Sequence, residues 1–158
     1  MEIKITWGIG EGKTKIAAFD KALWDAGIAN YNIIRLSSVI PENARINVKK
    51  VDLNPDEHGY RLYVVISDSY QERPGKSAVA GLGWAVSRQA NGKGVFVEHS
   101  GDNVANVTKY IEETVKSMVS YRPERFGEAS IKTVEKQCRT KGNVVCALVA
   151  AVYRSEGW

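Results

Sequence analysis

Stretches with the two-residue alternation of a β-strand and stretches with the spacing of an α-helix follow one another along this chain without a repeated order. Residues 2–7 alternate polar and apolar side chains, whereas the apolar residues between Val104 and Met118 recur every three or four positions. The sequence contains no internal repeats. Because strands and helices are interspersed over 158 residues, a length that suits one domain, the pattern predicts a single layered α+β domain.

Several of the expected elements have recognisable start and stop signals. Gly27 stands where a helix-terminating glycine is preferred, and Asp102 or Asn103 caps the last helix. A proline in the first turn favours a helix at 74–89, although two glycines inside it weaken that prediction. In chain order we expect strands at 2–7, 31–36, 46–51, 60–67, 94–99, 129–134 and 144–153, and helices at 14–26, 74–89 and from 103 onwards.

The charge of the chain is mildly basic and scattered. The 22 Lys and Arg residues exceed the 18 Asp and Glu residues by a net charge of +4, without a basic cluster among aromatics, so we expect no nucleic-acid partner. No apolar run reaches the roughly 18 residues of a membrane span, and the charged residues 1–8 do not resemble a signal peptide. We therefore expect a soluble, cytoplasmic protein without a membrane partner.

Residues that commonly bind metal ions are few in this sequence. The cysteines are Cys138 and Cys146, the histidines are His58 and His99, and neither CxxC nor HxxxH spacing occurs. We therefore expect no metal site. Both cysteines are expected to be reduced thiols, as is usual inside cells.

The glycine-rich stretch at residues 8–12 invites comparison with a nucleotide-binding loop. Gly8 and Gly10 match the first two positions of GxGxxG, but Lys13 stands in the place of the third glycine. A glycine turn between the first strand and the first helix is the better interpretation. We therefore expect the first strand to end at these glycines.

A carboxylate lies on the apolar stripe of the first predicted helix. Asp20 falls on the same helix face as Ile16, Phe19 and Leu23. Such an aspartate either reaches water or a lysine from the edge of the stripe, or binds a cationic ligand in an apolar pocket. The helix alone favours the first alternative.

Two further positions combine reactive groups with a suggestive setting. Glu98 shares a strand face with Phe96, an environment that suits a general acid, although an exposed edge-strand glutamate is the simpler explanation. Its neighbour His99 points to the other face, and no role follows for it. Ser37 and Ser38 form a serine pair without the His–Asp partners that a hydrolase needs.

Five segments together resemble the pyruvoyl-dependent arginine decarboxylases. They are GEG at 10–12, AFDKAL at 18–23, AGIANYNIIRLSSVIP at 26–41, GVFVE at 94–98 and CALVAAVY at 146–153. The first three form one spaced pattern, which is more specific than any single motif above. The resemblance spans most of the chain and is weakest over Glu42–Gly59, whose high charge leaves the choice of substrate open if it lines the pocket.

The resemblance implies that the serine pair is a self-cleavage site. In this family the second serine attacks the carbonyl of the first, so here Ser38 attacks Ser37. β-Elimination and loss of ammonia then leave a pyruvoyl group at position 38. The β chain is expected to comprise residues 1–37 and the α chain residues 38–158. This covalent pyruvoyl group, rather than pyridoxal phosphate or a metal, forms a Schiff base with the substrate and serves as the electron sink for loss of CO₂.

The resemblance also implies roles for individual residues. Ser38 becomes the pyruvoyl group, Glu98 returns a proton to the α-carbon, and Asp20 binds the guanidinium of the substrate. Asn32 polarises the scissile carbonyl or stabilises the oxyanion of self-cleavage, and Leu23 lines the aliphatic part of the substrate. With these roles, the functional interpretations of Asp20 and Glu98 become the favoured ones.

The family further implies an αββα sandwich with a mixed sheet. Its cleaved αβ units assemble as homo-oligomers, trimers or dimers of trimers, with active sites between protomers. The expected activity is decarboxylation of L-arginine to agmatine and CO₂. Two alternatives stay open, namely a pyruvoyl enzyme for another cationic amino acid, such as lysine or ornithine, and an uncleaved, non-catalytic binding module of the same fold.

Overall fold

Two β-sheets face each other, and each has an α-helix on its outer side, in the computed structural model of this chain. The structure describes residues 1–89 and 91–158. The strands are β1 (Glu2–Gly12), β2 (Asn32–Arg35), β3 (Val39–Ile40), β4 (Arg45–Val48), β5 (Arg61–Gln71), β6 (Ser77–Val86), β7 (Gly94–Gly101), β8 (Ser130–Gln137) and β9 (Val144–Glu156), and the helices are α1 (Lys15–Ala26) and α2 (Val104–Ser120). A 3₁₀ turn at Pro55–Glu57 precedes β5.

The two sheets differ in how their strands pair. The first sheet has the order β2-β5-β9-β1-β4 and is mixed, because β2 runs parallel to β5 and β4 parallel to β1, whereas β9 is antiparallel to both neighbours. The second sheet has the order β3-β7-β6-β8 and is antiparallel. The layers run helix, sheet, sheet, helix, so the predicted α+β sandwich with a mixed sheet is confirmed.

Three apolar clusters hold these layers together. One fills the space between the sheets and contains Phe96, a second joins α1 to the first sheet, and a third joins α2 to the second sheet through Ile111. Burial of this apolar surface is the main favourable contribution to folding.

The glycines at the start of the chain belong to a strand rather than a turn. β1 continues through Gly12, and α1 lies directly on it. A Cβ atom at Gly8 would lie 2.0 Å from the carbonyl oxygen of Ala22, and one at Gly10 would lie 2.1 Å from that of Ala18. The expectation that the strand ends at these glycines was therefore wrong, since the close approach of the helix is what requires them.

The predicted helix at 74–89 was also wrong, because β6 occupies most of this segment. β6 is buried on both faces, against the other sheet on one side and α2 on the other, so it lacks the alternation that marks a half-buried strand. Gly81 and Gly83 lie beneath α2, where a Cβ atom at Gly83 would come within 2.1 Å of the Ile111 side chain.

The two helices begin and end close to their predicted positions. The Thr14 hydroxyl accepts a hydrogen bond from the N–H of Ala17 at the start of α1, and Gly27 ends that helix with a φ of 75°. The Asn103 side chain caps α2 by accepting from the N–H of Asn106. In the part of the chain that the structure describes, no helix combines the length and apolar character needed to cross a bilayer.

The chain passes from one sheet to the other at the serine pair. The Leu36 N–H donates to the carbonyl oxygen of Val64 in the first sheet, at 2.8 Å. Two residues later, the carbonyl oxygen of Ser38 accepts from Phe96 in the second sheet, at 2.9 Å. Ser37 and Ser38 therefore bridge the edges of the two sheets.

Candidate active site

Ser38 and Glu98 meet where β3 begins beside β7. The Ser38 Oγ lies 2.6 Å from Oε1 and 2.7 Å from Oε2 of Glu98, so its hydroxyl donates to the carboxylate. Both residues are half-buried. The antiparallel pairing of Val39 with Val95 sets this contact, because it puts Ser38 opposite Phe96, two residues before Glu98. The structure thus brings the predicted serine and the predicted acid together.

Hydrogen bonds follow one another along the backbone at Ser38. The N–H of Phe96 donates to the carbonyl oxygen of Ser38, and the N–H of Val39 donates to the carbonyl oxygen of Ser37 at 2.7 Å. The first bond polarises the peptide group between Ser38 and Val39 and strengthens its N–H as a donor. That N–H in turn polarises the Ser37 carbonyl and can stabilise negative charge on its oxygen.

Tyr153 is part of this cluster, although the sequence did not single it out. Its hydroxyl donates to the carbonyl oxygen of Val39 at 2.7 Å, and its ring meets Phe96 edge-on with 6.3 Å between centroids. Burial, together with the charge of Glu98, raises the pKa of Tyr153 to about 12, so the hydroxyl stays protonated at neutral pH. A tyrosine near the end of the otherwise aliphatic run of β9 is the signal that points to it.

Asp20 lies on the solvent side of α1. The helix buries Ala18, Ala22 and Leu23 against the first sheet, whereas Asp20 is exposed and Ile16 is 82% exposed. The expected apolar stripe through Ile16 and Asp20 was therefore wrong, because the close packing of α1 on β1 favours small alanines at the contact. α1 covers the outer face of the first sheet, so a single chain does not bring Asp20 to Ser38.

Asn32 and Leu23 also lie away from the serine pair. The Asn32 side chain donates to the carbonyl oxygen of Gly59 at 2.6 Å, an oxygen that also accepts from the Trp158 indole N–H at 2.9 Å. Four residue-to-residue steps of about 3.3 Å each separate Asn32 from Leu36, where the chain leaves the first sheet. Leu23 is 8% exposed and packs towards the first sheet. The predicted roles of both residues stay predictions.

His99 contacts α2 rather than the serine pair. Its Nε2 lies 2.9 Å from the Thr114 hydroxyl, and its ring lies 6.0 Å from that of Tyr110. These contacts put His99 and Glu98 on opposite faces of β7, as strand alternation predicts. The histidine therefore connects β7 to α2.

The charged segment Glu42–Gly59 forms the border of the first sheet. It contributes β4, which pairs with the start of β1, and the 3₁₀ turn, whose Glu57 accepts a hydrogen bond from the Tyr31 hydroxyl at 2.7 Å. Part of this segment lines a cavity of about 410 Å³, which also includes apolar residues of the α1 side of the sheet. The part of the segment that lines this cavity, from Val51 to Glu57, therefore lies on the α1 side of the first sheet. Ala44 and Ile46 instead pack against the apolar cluster between the sheets.

The described residues contain no group of three or more His, Cys, Asp and Glu side chains that could hold a metal ion. Cys138 and Cys146 are free and buried. Burial raises the pKa of the Cys146 thiol to about 12, with the nearby charge of Asp68 contributing. The Cys146 thiol is therefore a core side chain rather than a reactive group.

Nearly the whole chain is similar to one family of known proteins. Residues 2–157 match the family described as pyruvoyl-dependent arginine decarboxylase. The chain belongs to this family. The pyruvoyl-dependent arginine decarboxylase of Halobacterium salinarum is 36% identical over 154 residues, which cover 96% of this chain and 92% of that protein. The enzyme of the same description from Methanothermobacter thermautotrophicus is 34% identical over 151 residues, with 94% and 95% covered.

The family assignment also defines the class of enzyme and cofactor. Pyruvoyl-dependent arginine decarboxylases are carboxy-lyases, and their cofactor is a covalent pyruvoyl group, so the expected enzyme class and cofactor are confirmed at the level of the family. A solved structure of a pyruvoyl-dependent histidine decarboxylase at pH 8 aligns with a TM-score of 0.45 and 17% identity, over 60% of this chain and 51% of that one.

Proposed function

We propose that this chain cuts itself between Ser37 and Ser38 and then decarboxylates L-arginine to agmatine and CO₂. The observation that carries the proposal is the 2.6 Å contact of the Ser38 hydroxyl with the Glu98 carboxylate, beside a Ser37 carbonyl that accepts a hydrogen bond from Val39. A nucleophile and an N–H donor to the carbonyl under attack thus meet at one peptide bond, as an acyl shift needs, and the side-chain oxygens of Glu98 orient the nucleophile by accepting its hydrogen bond.

Self-cleavage uses the residues at this sheet crossing and one water molecule. The Ser38 Oγ attacks the carbonyl carbon of Ser37 and its proton passes to the departing nitrogen, so the peptide bond becomes an ester. Loss of the Ser38 α-proton then expels the Ser37 carboxylate, which becomes the end of the β chain. Water hydrolyses the unsaturated amine that is left, which releases ammonia and leaves a pyruvoyl group at position 38.

The cut yields chains of 37 and 121 residues from the 158, and the fold supports their staying together. The shorter chain contributes β1, which pairs with β9 over the positions from Lys4 to Gly12, and β2, which pairs with β5. It also contributes α1, which buries its alanines against the first sheet. Cleavage removes a covalent link between the sheets without removing a strand pair.

The surroundings of position 38 fit a pyruvoyl group made from that serine. The bonds from the Phe96 N–H to the Ser38 carbonyl and from Tyr153 to the Val39 carbonyl do not depend on the peptide bond that is cut. The pyruvoyl ketone, once formed, supplies an electron sink for loss of CO₂ from an amino-acid substrate. We assign Glu98, which contacts this position, as the acid that returns a proton to the substrate α-carbon.

Recognition of the substrate guanidinium by Asp20 requires a second copy of the chain. Asp20 is flanked one turn before and one turn after by Ile16 and Trp24, which are 82% and 46% exposed. Apolar side chains exposed around a carboxylate support a contact with another protomer. We propose trimers or dimers of trimers in which Asp20 of one copy binds the guanidinium of a substrate held at Ser38 of the next. Asn32 and Leu23 are assigned to the same shared site.

The test is the intact mass, under denaturing conditions, of the freshly purified full chain. The expected result is two species, a β chain that ends at Ser37 and an α chain that is lighter than one starting with serine by the mass of ammonia. Ser38→Ala is the control, because without a hydroxyl no ester forms. A wild-type chain that stays whole after long incubation overturns the proposal and favours the non-catalytic binding module.

Release of CO₂ from arginine, lysine and ornithine by the cleaved protein then tests the substrate. Arginine is expected to be preferred, because a planar guanidinium donates two parallel hydrogen bonds to a carboxylate, which an ammonium group does not. Faster release from lysine or ornithine contradicts the arginine assignment while leaving the pyruvoyl chemistry intact.

A further inference from the structure

Tyr153 lies at an irregularity of β9 that faces the serine pair. The pairing of β9 with β5 joins Val152 to Val64 and Arg154 to Tyr63, which leaves Tyr153 without a partner in β5. Such a bulge re-aims a side chain and is frequent beside active sites. Here the Tyr153 ring packs against the apolar cluster between the sheets, and its hydroxyl reaches the Val39 carbonyl on the opposite sheet.

The hydrogen bond from Tyr153 holds Val39 in place, and the Val39 N–H donates to the Ser37 carbonyl. β3 has only two residues, and Val39 is 59% exposed, so its own packing holds it weakly. The Tyr153 hydroxyl anchors the carbonyl end of Val39, while the Phe96 N–H anchors the peptide group before it. Together these two bonds keep the Val39 N–H directed at the Ser37 oxygen.

We propose that Tyr153 is a positioning residue for self-cleavage, which acts through Val39 to hold the Ser37 carbonyl and the Ser38 hydroxyl in the geometry of attack. This inference rests on the proposed self-cleavage. The high pKa of Tyr153, about 12, agrees with a group that donates a hydrogen bond without transferring its proton. In this role Tyr153, on the first sheet, helps to position the Ser37–Ser38 peptide bond at the edge of the second sheet.

The experiment compares Tyr153→Phe with Tyr63→Phe in the full chain. Tyr63, in the neighbouring strand β5, is a matched control, because its hydroxyl also makes one short hydrogen bond, which it donates to Glu156 at 2.6 Å. Cleavage is followed by intact mass from the time of synthesis. We expect Tyr153→Phe to slow cleavage about tenfold, the effect of one lost hydrogen bond, and Tyr63→Phe to cleave at the wild-type rate.

Two measurements separate positioning from a loss of fold. Hydroxylamine cuts esters much faster than amides, so treatment of the uncut chain reports whether the ester has formed; uncut Tyr153→Phe is expected to resist it, because attack by Ser38 is the slowed step. Replacement of Tyr153 by p-aminophenylalanine keeps an N–H donor at the same place and is expected to restore most of the rate.

Equal rates for Tyr153→Phe and the wild type overturn the role of Tyr153 while leaving self-cleavage intact. Equal slowing in both phenylalanine variants, or no recovery with p-aminophenylalanine in a chain that melts normally, overturns it as well. A wild-type chain that stays whole overturns the proposed function and this inference with it.

Discussion

The N–H of Phe96 donates to the carbonyl oxygen of Ser38, immediately after the bond that we expect to be cut, at 2.9 Å. On the other side of that bond, the Leu36 N–H donates to Val64 in the other sheet at 2.8 Å. The flanks of the serine pair are therefore anchored in different sheets by backbone bonds. These anchors do not involve the serine side chains. Substitutions of Ser37 and Ser38 therefore test the chemistry of cleavage with little effect on the fold.

Replacement of the Ser38 hydroxyl is expected to abolish maturation. Ser38→Ala has no oxygen that can attack the Ser37 carbonyl, so it should persist as a single chain of 158 residues without decarboxylase activity. Ser37→Ala, which keeps the carbonyl under attack, is the control and should be cut. Denaturing mass spectrometry distinguishes the two. Cleavage of Ser38→Ala at the same bond contradicts the assignment of the nucleophile.

Glu98→Gln should separate maturation from turnover. The amide oxygen of glutamine still accepts a hydrogen bond from Ser38, so cleavage is expected to proceed. A neutral amide cannot donate an acidic proton, so CO₂ release should fall by roughly 10²–10⁴-fold. Glu112→Gln, an exposed change on α2, is the matched control. Unchanged turnover in Glu98→Gln removes this residue from the mechanism.

Asp20→Asn should weaken arginine binding without affecting cleavage. Asp20 is exposed in the single chain, so its loss leaves the fold and the serine pair unchanged. A charged hydrogen-bond pair contributes enough that the KM for arginine should rise roughly 10–100-fold. Steady-state kinetics on the cleaved protein measure the effect, and the exposed Asp102→Asn is the control. Failure to cleave shows instead that Asp20 has a structural role.

The contact of α1 with β1 predicts a large cost for a single methyl group. A Cβ atom at Gly10 would lie 2.1 Å from the Ala18 carbonyl oxygen and 2.5 Å from the Ala22 nitrogen, so Gly10→Ala should lower the free energy of unfolding by about 3 kcal/mol or more. Gly127→Ala is the control, because the nearest atom to its Cβ is 3.7 Å away. Urea unfolding in the Ser38→Ala background, which keeps one chain, gives both values. Equal stability of the two variants refutes the close packing.

Asp25 should make stability depend on acid pH. Burial alone raises its pKa, but hydrogen bonds from Lys50 and from the N–H of Ile9 lower it below its usual value. Because the folded-state pKa is the lower one, the stabilisation is complete above the unfolded-state pKa of about 3.9 and is lost as the pH falls through the folded-state value.

Asp25→Asn, also made in the Ser38→Ala background, tests this dependence. The variant should be less stable than its parent in urea at pH 7, and the difference should shrink steadily below about pH 4. Lys50→Met removes the ammonium from the same pair and should reproduce part of the loss at pH 7. A difference between Asp25→Asn and its parent that does not change with pH assigns the effect to packing rather than to charge.

The sequence predicted those parts of the fold that depend on local signals. The caps at Gly27 and Asn103 and the spacing along α2 place both helices correctly, because these features are set by neighbouring residues. β6 was mistaken for a helix since its burial on both faces removes the alternation of a strand. The prediction of an apolar stripe through Asp20 was wrong for a related reason. α1 packs closely on the glycines of β1, and this close contact favours alanines on the buried face of the helix.

Local sequence patterns predict even less of the candidate active site than of the fold. Ser38 and Glu98 are sixty positions apart, and no spacing rule links them; only the family resemblance paired them before the structure did. Tyr153 escaped notice because its importance comes from a one-residue irregularity in β9, which depends on the register with β5. The proposed contact of Asp20 with substrate involves a second chain, and patterns within one sequence do not describe such a contact.

The passage of the chain between sheets at Ser37 and Ser38 has a thermodynamic consequence. Before the cut, unfolding is a unimolecular event, and the melting temperature of an isolated protomer does not vary with protein concentration. After the proposed cut, residues 1–37 and the rest are separate molecules that associate through non-covalent contacts, chiefly those of β1, β2 and α1. Unfolding then releases two particles, so mass action makes the mature protein melt at lower temperature when diluted. The proposed maturation therefore exchanges a stability that is independent of protein concentration for one that depends on it.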